Sequence, residues 1–311
     1  VLRGPQGTLF GRNTSAGALN IITKKPSFDL GGYAELSYGN YDEIEAKAGI
    51  TGGLSEAVAL RLDGGYHKRD GYIRDANSDR RFNDVDRYFL RGQALFEKDD
   101  ITLRIIGDYA ETDEQCCGAI NTGSGFLIAP NLADINTVLG AATSNIIQAF
   151  SANPALGGAV GRIGIVRPFD PEARTMAASP NRDLSERVKE WGVSGELNWD
   201  LGGDITLTSI TAYRDWKALR NQDIDFSGLD RAYRDGYRTG LTDFTQEVRL
   251  NGSAFDDSLD WMIGGFYLNE KTTLTDRVRF GTQGDQFVDG LFNALTAGQP
   301  GLPAQGLQLY G

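Results

Sequence analysis

The stretch Ile44-Glu45-Ala46-Lys47-Ala48-Gly49-Ile50-Thr51 alternates apolar and polar residues without a break. Successive side chains of an extended chain point to opposite faces, so Ile44, Ala46, Ala48 and Ile50 share one side and Glu45, Lys47, Gly49 and Thr51 the other. A helix would scatter the same residues around its circumference. The pattern predicts a β-strand that is apolar on one face and polar on the other.

Working outward, the same period of two recurs. Tyr33–Tyr41 reads as the strand before it. After it, Val58, Leu60, Leu62, Gly64 and Tyr66 oppose Ala59, Arg61, Asp63, Gly65 and His67. Tyr88, Leu90, Gly92, Ala94 and Phe96 oppose Arg87, Phe89, Arg91, Gln93 and Leu95. Ile101, Leu103, Ile105, Gly107 and Tyr109 oppose Thr102, Arg104, Ile106 and Asp108. Trp191, Val193, Gly195, Leu197 and Trp199 oppose Glu190, Gly192, Ser194, Glu196 and Asn198. Further strands are expected near Asp204–Trp216, Thr242–Asn251 and Ser258–Lys271, about nine in all. Ile210 and Ala212 break the face set by Ile205 and Leu207, as a β-bulge or a weakly patterned strand would.

The connections alternate in length. Short turns are expected at 52–56, 97–100, 200–203 and 252–257, and long loops at 69–84, 112–185, 217–241 and from 272 onward. Outer-membrane barrels sort their connections this way, with short periplasmic turns and longer extracellular loops. Aromatic residues fall at the strand ends: Tyr41, Tyr66, Tyr88, Tyr109, Trp191, Tyr213, Phe244 and Tyr267 toward the long loops, Phe96, Trp199 and Trp261 toward the short turns. Two interfacial belts are therefore expected, where propensity alone would spread aromatics along the strands.

Composition agrees. Hydrophobic residues are 40% of the 311 and mean hydropathy is −0.33, with no apolar run near the ~18 residues of a spanning helix. Barrel strands hide their apolar half in alternation, so a spanning barrel averages out as polar. The 40 glycines suggest many turns. A net charge of −11 argues against nucleic acid as a partner, since phosphate neutralisation needs an excess of Lys and Arg. Cys116 and Cys117 are adjacent and His67 is the one histidine, so no disulfide framework and no cysteine or histidine metal site can be assembled. The chain reads as a non-enzyme without cofactor. Cys116 and Cys117 are candidates for a vicinal disulfide, strained because adjacent Cα atoms lie about 3.8 Å apart.

The loops carry weaker signals. In the first long loop, Asp70, Arg74, Asp75, Asp79, Arg80, Arg81 and Asp84 mix both signs, a solvated surface that also offers contacts to lipopolysaccharide or ligand. Leu132, Ile135, Leu139, Ala142, Ile146 and Phe150 fall at helical spacing in the second, as do Phe287, Leu291 and Leu295 in the last.

The first residues differ in kind: Val1-Leu2-Arg3-Gly4-Pro5-Gln6-Gly7-Thr8-Leu9-Phe10-Gly11-Arg12-Asn13, then Ala16-Gly17-Ala18-Leu19-Asn20-Ile21-Ile22-Thr23-Lys24-Lys25-Pro26. A phosphate-binding loop is excluded, since no Gly-Lys-Ser, Gly-Lys-Thr or G-x-G-x-x-G spacing follows. The segment resembles the C-terminal end of the plug domain of TonB-dependent receptors, with Ala18 and Leu19 as slight departures. Echoes of the family continue in Trp199-Asp200-Leu201, in the run from Leu207 to Arg214, in Gln246–Leu250 and in Leu259-Asp260-Trp261.

The resemblance implies an all-β fold: part of a transmembrane antiparallel β-barrel, preceded by the C-terminal end of a plug. Residues 1–29 would be the end of the plug and 30–311 the first part of the barrel, an internal piece of a longer receptor whose TonB box lies upstream of Val1. It further implies localisation in a Gram-negative outer membrane. The implied activity is energy-coupled uptake of a scarce nutrient, a ferric siderophore foremost, with cobalamin or a saccharide as alternatives. The implied partners are the TonB complex of the inner membrane, outer-membrane lipid and lipopolysaccharide, and the small-molecule ligand. A passive porin would share the belts and the loop asymmetry but not the first 26 residues. Gly4, Gly7, Gly11, Arg12 and Asn20 are the plug-motif positions. Arg3 resembles the plug arginine that ion-pairs with inward-facing barrel glutamates, for which Glu196 and Glu247 are the candidates on the polar faces.

Overall fold

The computed structural model describes residues 2–5, 16–19, 22–115, 117–120, 163, 166, 170–179, 182–256 and 258–285. The alternating segments become the strands of one antiparallel sheet. In chain order the strands are β1 (Leu2–Arg3), β2 (Gly17–Ala18), β3 (Gly31–Gly39), β4 (Glu43–Ser55), β5 (Val58–Arg69), β6 (Ile73–Asp75), β7 (Arg81–Phe82), β8 (Val85–Lys98), β9 (Ile101–Gln115), β10 (Thr175–Met176), β11 (Ser185–Asp200), β12 (Thr206–Asp223), β13 (Ala232–Ala254), β14 (Leu259–Thr275) and β15 (Val278–Phe280). The nine long strands pair in the order β14-β13-β12-β11-β9-β8-β5-β4-β3, and β15 extends the sheet beside β13. Each long strand thus lies beside its sequence neighbours, with the short β6, β7 and β10 set apart as a sheet of their own.

Register keeps the two faces separate over the whole sheet. Ile50 lies opposite Leu62, Leu62 opposite Gly92, Ala94 opposite Ile105, Leu103 opposite Leu197, and Leu207 opposite Leu250. Among the described residues that apolar face has no partner: Leu36 is 79% exposed, Ile50 57% and Val193 47%. A continuous apolar surface of this extent is stable only against lipid. Directly paired aromatics bound it on the long-loop side, with Tyr66 opposite Tyr88, Tyr109 opposite Trp191 and Tyr213 opposite Phe244. Their rings pack at 5.9 Å for Tyr88 with Tyr109, 5.2 Å for Trp191 with Tyr213 and 6.2 Å for Phe244 with Tyr267. On β11, Trp191 and Trp199 are separated by about 26 Å along the strand, comparable to the roughly 25 Å apolar band of such barrels.

Three expectations are corrected. The third long loop, expected over 217–241, is strand as far as Asp223 and again from Ala232. These extensions lie beyond the aromatic belt, where neither face meets lipid, so alternation no longer marks them. The turn expected at 52–56 is likewise shorter, since β4 continues to Ser55 with a register shift between Gly53 and Ser55. No bulge sits at Ile210: the β12–β13 register is unbroken from Thr206 to Arg220 and shifts between Arg220 and Gln222. Ile210 and Ala212 are simply apolar residues on the polar face. The helical spacings at 132–150 and 287–295 lie outside the described residues.

The buried apolar cluster is not on the large sheet. Ile73, Phe82, Met176, Ala178 and Leu184 pack together at the long-loop end, beneath the sheet β10-β6-β7. Gly118 closes this cluster from the second loop, where an added methyl would come within 2.7 Å of the Phe82 Cβ. The described parts of the first and second long connections therefore fold into a cap with a core of its own.

Candidate functional site

On the polar face of the large sheet, three side chains hold the segment that leads into β3. The Thr51 hydroxyl accepts from the Ser27 amide at 2.8 Å and lies 2.9 Å from the Leu60 carbonyl, to which it donates. Gln93 donates its side-chain amide to the Lys24 carbonyl at 3.2 Å. The Arg104 guanidinium donates to the Thr23 hydroxyl at 3.1 Å and to the Gln93 amide oxygen at 2.6 Å. A backbone bond from Gly53 to the Phe28 carbonyl, 2.9 Å, completes the attachment. All three side-chain anchors are buried, and Pro26 is buried with them. Alternation puts Thr51, Gln93 and Arg104 on the polar face, but nothing in their spacing marks them as anchors, because they come from three different strands.

The rest of that face is a ladder of ion pairs. Arg61 and Asp63 pair at 2.6 Å, and Tyr33 donates to Asp63 at 3.3 Å. Asp108 receives Arg214 at 3.0 Å and Arg91 at 3.6 Å. The Glu196 carboxylate accepts from Asn198 at 3.1 Å, and Glu247 pairs with Arg249 at 3.0 Å. Each predicted glutamate thus has a partner on its own strand. Near the start of the chain, Leu2 and Arg3 pair with Ala18 and Gly17, and Gly4 takes a positive φ of 83° where its amide reaches the Ala16 carbonyl at 3.2 Å. A left-handed turn of that kind is the conformation glycine supplies without strain. Gly7, Gly11, Arg12 and Asn20 lie outside the described residues.

At the long-loop end the cap is knit by buried carboxylates. The Asp75 side chain is fully buried and accepts from the amides of Asn77 and Ala178, from the Ser78 hydroxyl and from Arg80 at 3.0 Å. Arg80 also donates to the carbonyls of Ser179 and Arg182, so the first and second loops close on one ion pair. Asn77 and Ile163 exchange two hydrogen bonds at 2.7 Å each. Asp230 receives Arg182 bidentately at 2.8 and 2.6 Å and the Thr282 amide at 2.9 Å, joining the third and last loops to the second. Arg182 also lies 3.7 Å over the Tyr233 ring. Cys117 is disulfide-bonded, while Cys116 lies outside the described residues. Asn83 anchors the next residue, accepting from the Gly118 amide at 3.0 Å.

Asp223 at the tip of β12 accepts from the amides of Ser179, Asp225 and Phe226, each at 3.1 Å. Burial first, and the nearby Asp225 carboxylate second, push its pKa up to about 7. The folded value lies above the ordinary 3.8, so the cap binds this proton more tightly than the unfolded chain does. The stability it contributes is complete at acid pH and is lost as pH rises through about 7. Going from about pH 8 to about pH 5.5 will tighten the cap by about 2 kcal/mol. Hydrogen exchange at Ser179 and Phe226 reads it, and Asp223→Asn will remove that response.

No protein-family model matches the chain. Among curated proteins it is similar to the ferrioxamine B receptor of Salmonella typhimurium, 41% identical over 66 residues, which is 21% of this chain and 9% of that protein. It is also similar to the iron-regulated outer membrane virulence protein of Vibrio cholerae, 37% identical over 76 residues, 22% of this chain and 12% of that protein. Each match thus spans about a tenth of the relative's length. In fold it resembles the ferric yersiniabactin uptake receptor FyuA of Yersinia pestis, with a TM-score of 0.66 at 14% identity, over 89% of this chain and 36% of that one.

Proposed function

We propose that this chain belongs to the TonB-dependent outer-membrane receptors and serves the energy-coupled uptake of a scarce nutrient, a ferric siderophore. In this reading residues 1–29 are the end of the plug and 30–311 the first part of the barrel wall. The ligand meets the loops outside, the inner-membrane TonB complex acts on the plug from within, and no reaction is catalysed.

The observation that carries the proposal is the attachment of Thr23–Phe28 to Thr51, Gln93 and Arg104 on the polar face. A passive channel needs an open lumen and has no use for an upstream segment hooked to its inner wall. A plug that is pulled needs its far end fixed, so that force rearranges the plug instead of drawing it through the barrel. The iron-linked names of two relatives weigh toward a ferric chelate, and the similarity to a vitamin B12 transporter of Vibrio vulnificus, 31% identical over 72 residues, keeps cobalamin as the second reading.

The complete receptor, expressed in hosts with and without TonB and grown under iron limitation on a panel of ferric siderophores, tests this. Growth that requires both TonB and one chelate is the expected result; growth on that chelate without TonB would leave only a channel. The plug contact is tested separately. Arg3, in the plug motif, is proposed to reach Glu196 or Glu247, and Arg3→Ala will then raise proteolytic cleavage of the plug severalfold. Unchanged cleavage would end that assignment. Arg104→Met will speed hydrogen exchange over 22–28, since it strips the donor from Thr23 and Gln93.

A further inference from the structure

Within the cap, the inward-facing arginines are neutralised. Arg80 pairs with Asp75, Arg182 with Asp230, Arg231 with Asp225 and Arg234 with Asp276. The outer face of the small sheet is built the opposite way. Ile73, Asp75, Phe82 and Met176 point inward and are buried, which turns Arg74 and Arg81 outward, both exposed. Register sets Arg74 directly opposite Arg81 on one side and Thr175 on the other. The Arg174 carbonyl takes the Arg74 amide at 2.9 Å, while the Arg174 guanidinium turns away to the Tyr41 hydroxyl and the Tyr72 ring. Among the described residues, no carboxylate lies within 4.0 Å of Arg74, Arg81 or Arg174, although Asp79 and Glu172 stand close by in sequence.

Like charges directly opposite on adjacent strands destabilise the pair. A chain with 42 acidic residues against 31 basic ones has ample means of neutralising them, and it does so throughout the interior of the same cap. Directly opposed side chains on one face stand about 5 Å apart at Cβ. Two guanidinium forks at that spacing match a tetrahedral dianion, which offers several acceptor oxygens and two charges, better than a carboxylate with one.

We propose that the outer face of this sheet, with Arg74 and Arg81 directly opposed, is a binding site for a phosphate group. Phosphorylated glycolipid of the outer leaflet and soluble phosphate esters both carry that chemistry. The site is distinct from uptake and is tested without it.

In the complete receptor, purified in uncharged detergent at low ionic strength, hydrogen exchange over 73–82 and 174–176 is followed in inorganic phosphate and in chloride at matched ionic strength. The expected result is severalfold slower exchange in phosphate for the unmodified protein and no difference for Arg74→Gln/Arg81→Gln. In chloride the double variant should exchange no faster than the unmodified protein, because an opposed pair of like charges has been removed. Where that variant loosens the cap, Arg81→Gln alone should halve the phosphate response or better. The same measurement in nanodiscs carrying lipopolysaccharide with and without its lipid phosphates separates the sources: protection by the phosphorylated lipid alone assigns the site to the membrane, protection by inorganic phosphate to a solute. Absence of protection by either, or equal protection of the double variant, overturns the proposal.

Discussion

Asp75→Ala will loosen the cap by about 3–5 kcal/mol, the usual cost of removing one member of a buried ion pair, and will leave the barrel wall intact. The side chain is fully buried and satisfies four donors from two loops, among them Arg80 and the amide of Ala178. Alanine leaves the Ala178 amide without its acceptor and Arg80 with a charge beside an apolar core. The effect is confined to the cap because no long strand of the wall contributes to the Asp75 cluster. The expected record is rapid proteolysis and hydrogen exchange over 73–84 and 174–184, with the nine long strands of the large sheet as protected as before. Asp75→Asn, which keeps the acceptor and drops the charge, will recover part of the loss. An Asp75→Ala cap as resistant as the unmodified one would mean that the small apolar cluster suffices without the carboxylate.

Ile105→Arg will destabilise the barrel by about 2–4 kcal/mol in a bilayer, while Ser194→Lys on the next strand will cost less than about 1 kcal/mol. Ile105 lies midway along β9 between Tyr109 and Ile101, on the apolar face, opposite Ala94 and Gly195. Ser194 faces the other way, opposite Ile106 on the same strand pair. The two positions are at nearly the same height and differ only in which side of the wall they face. A charge on the lipid side must leave water altogether, and one on the polar side joins a ladder that already holds Arg91, Asp108 and Arg214. Urea titration of the receptor folded into lipid vesicles measures both. Equal costs would mean that the alternating face does not meet lipid.

Most of the wall was legible because membrane-spanning strands are constrained on both faces. One face meets hydrocarbon and the other a polar lumen, so residues such as Ile44, Ala46, Ala48 and Ile50 cannot trade places with Glu45, Lys47 and Thr51. Where that constraint ends, the pattern ends with it. The strand continuing from Lys217 to Asp223 meets lipid on neither side and reads as loop.

The first-loop charges show the other limit. Arg74, Arg80 and Arg81 look alike in sequence, yet Arg80 closes a buried ion pair while Arg74 and Arg81 face outward unpaired among the described residues. Their partners lie up to 102 positions away, where Arg80 meets the Arg182 carbonyl, and no local pattern encodes such a meeting. Glu196 and Glu247 were read correctly onto the polar face, but their bonds to Asn198 and Arg249 depend on rotamers that alternation leaves open.

The sequence by itself thus determined the strands, the two faces and the belts, because each follows from periodicity, and its first residues supplied the resemblance to a family. Only the tertiary structure decided that Thr51, Gln93 and Arg104 converge on one segment, that the first and second long loops share a core, and which charges are buried. Those are meetings of residues distant in the chain, fixed by sheet register and by the free energy of burying charge, and they acquire meaning only once the strands are laid side by side.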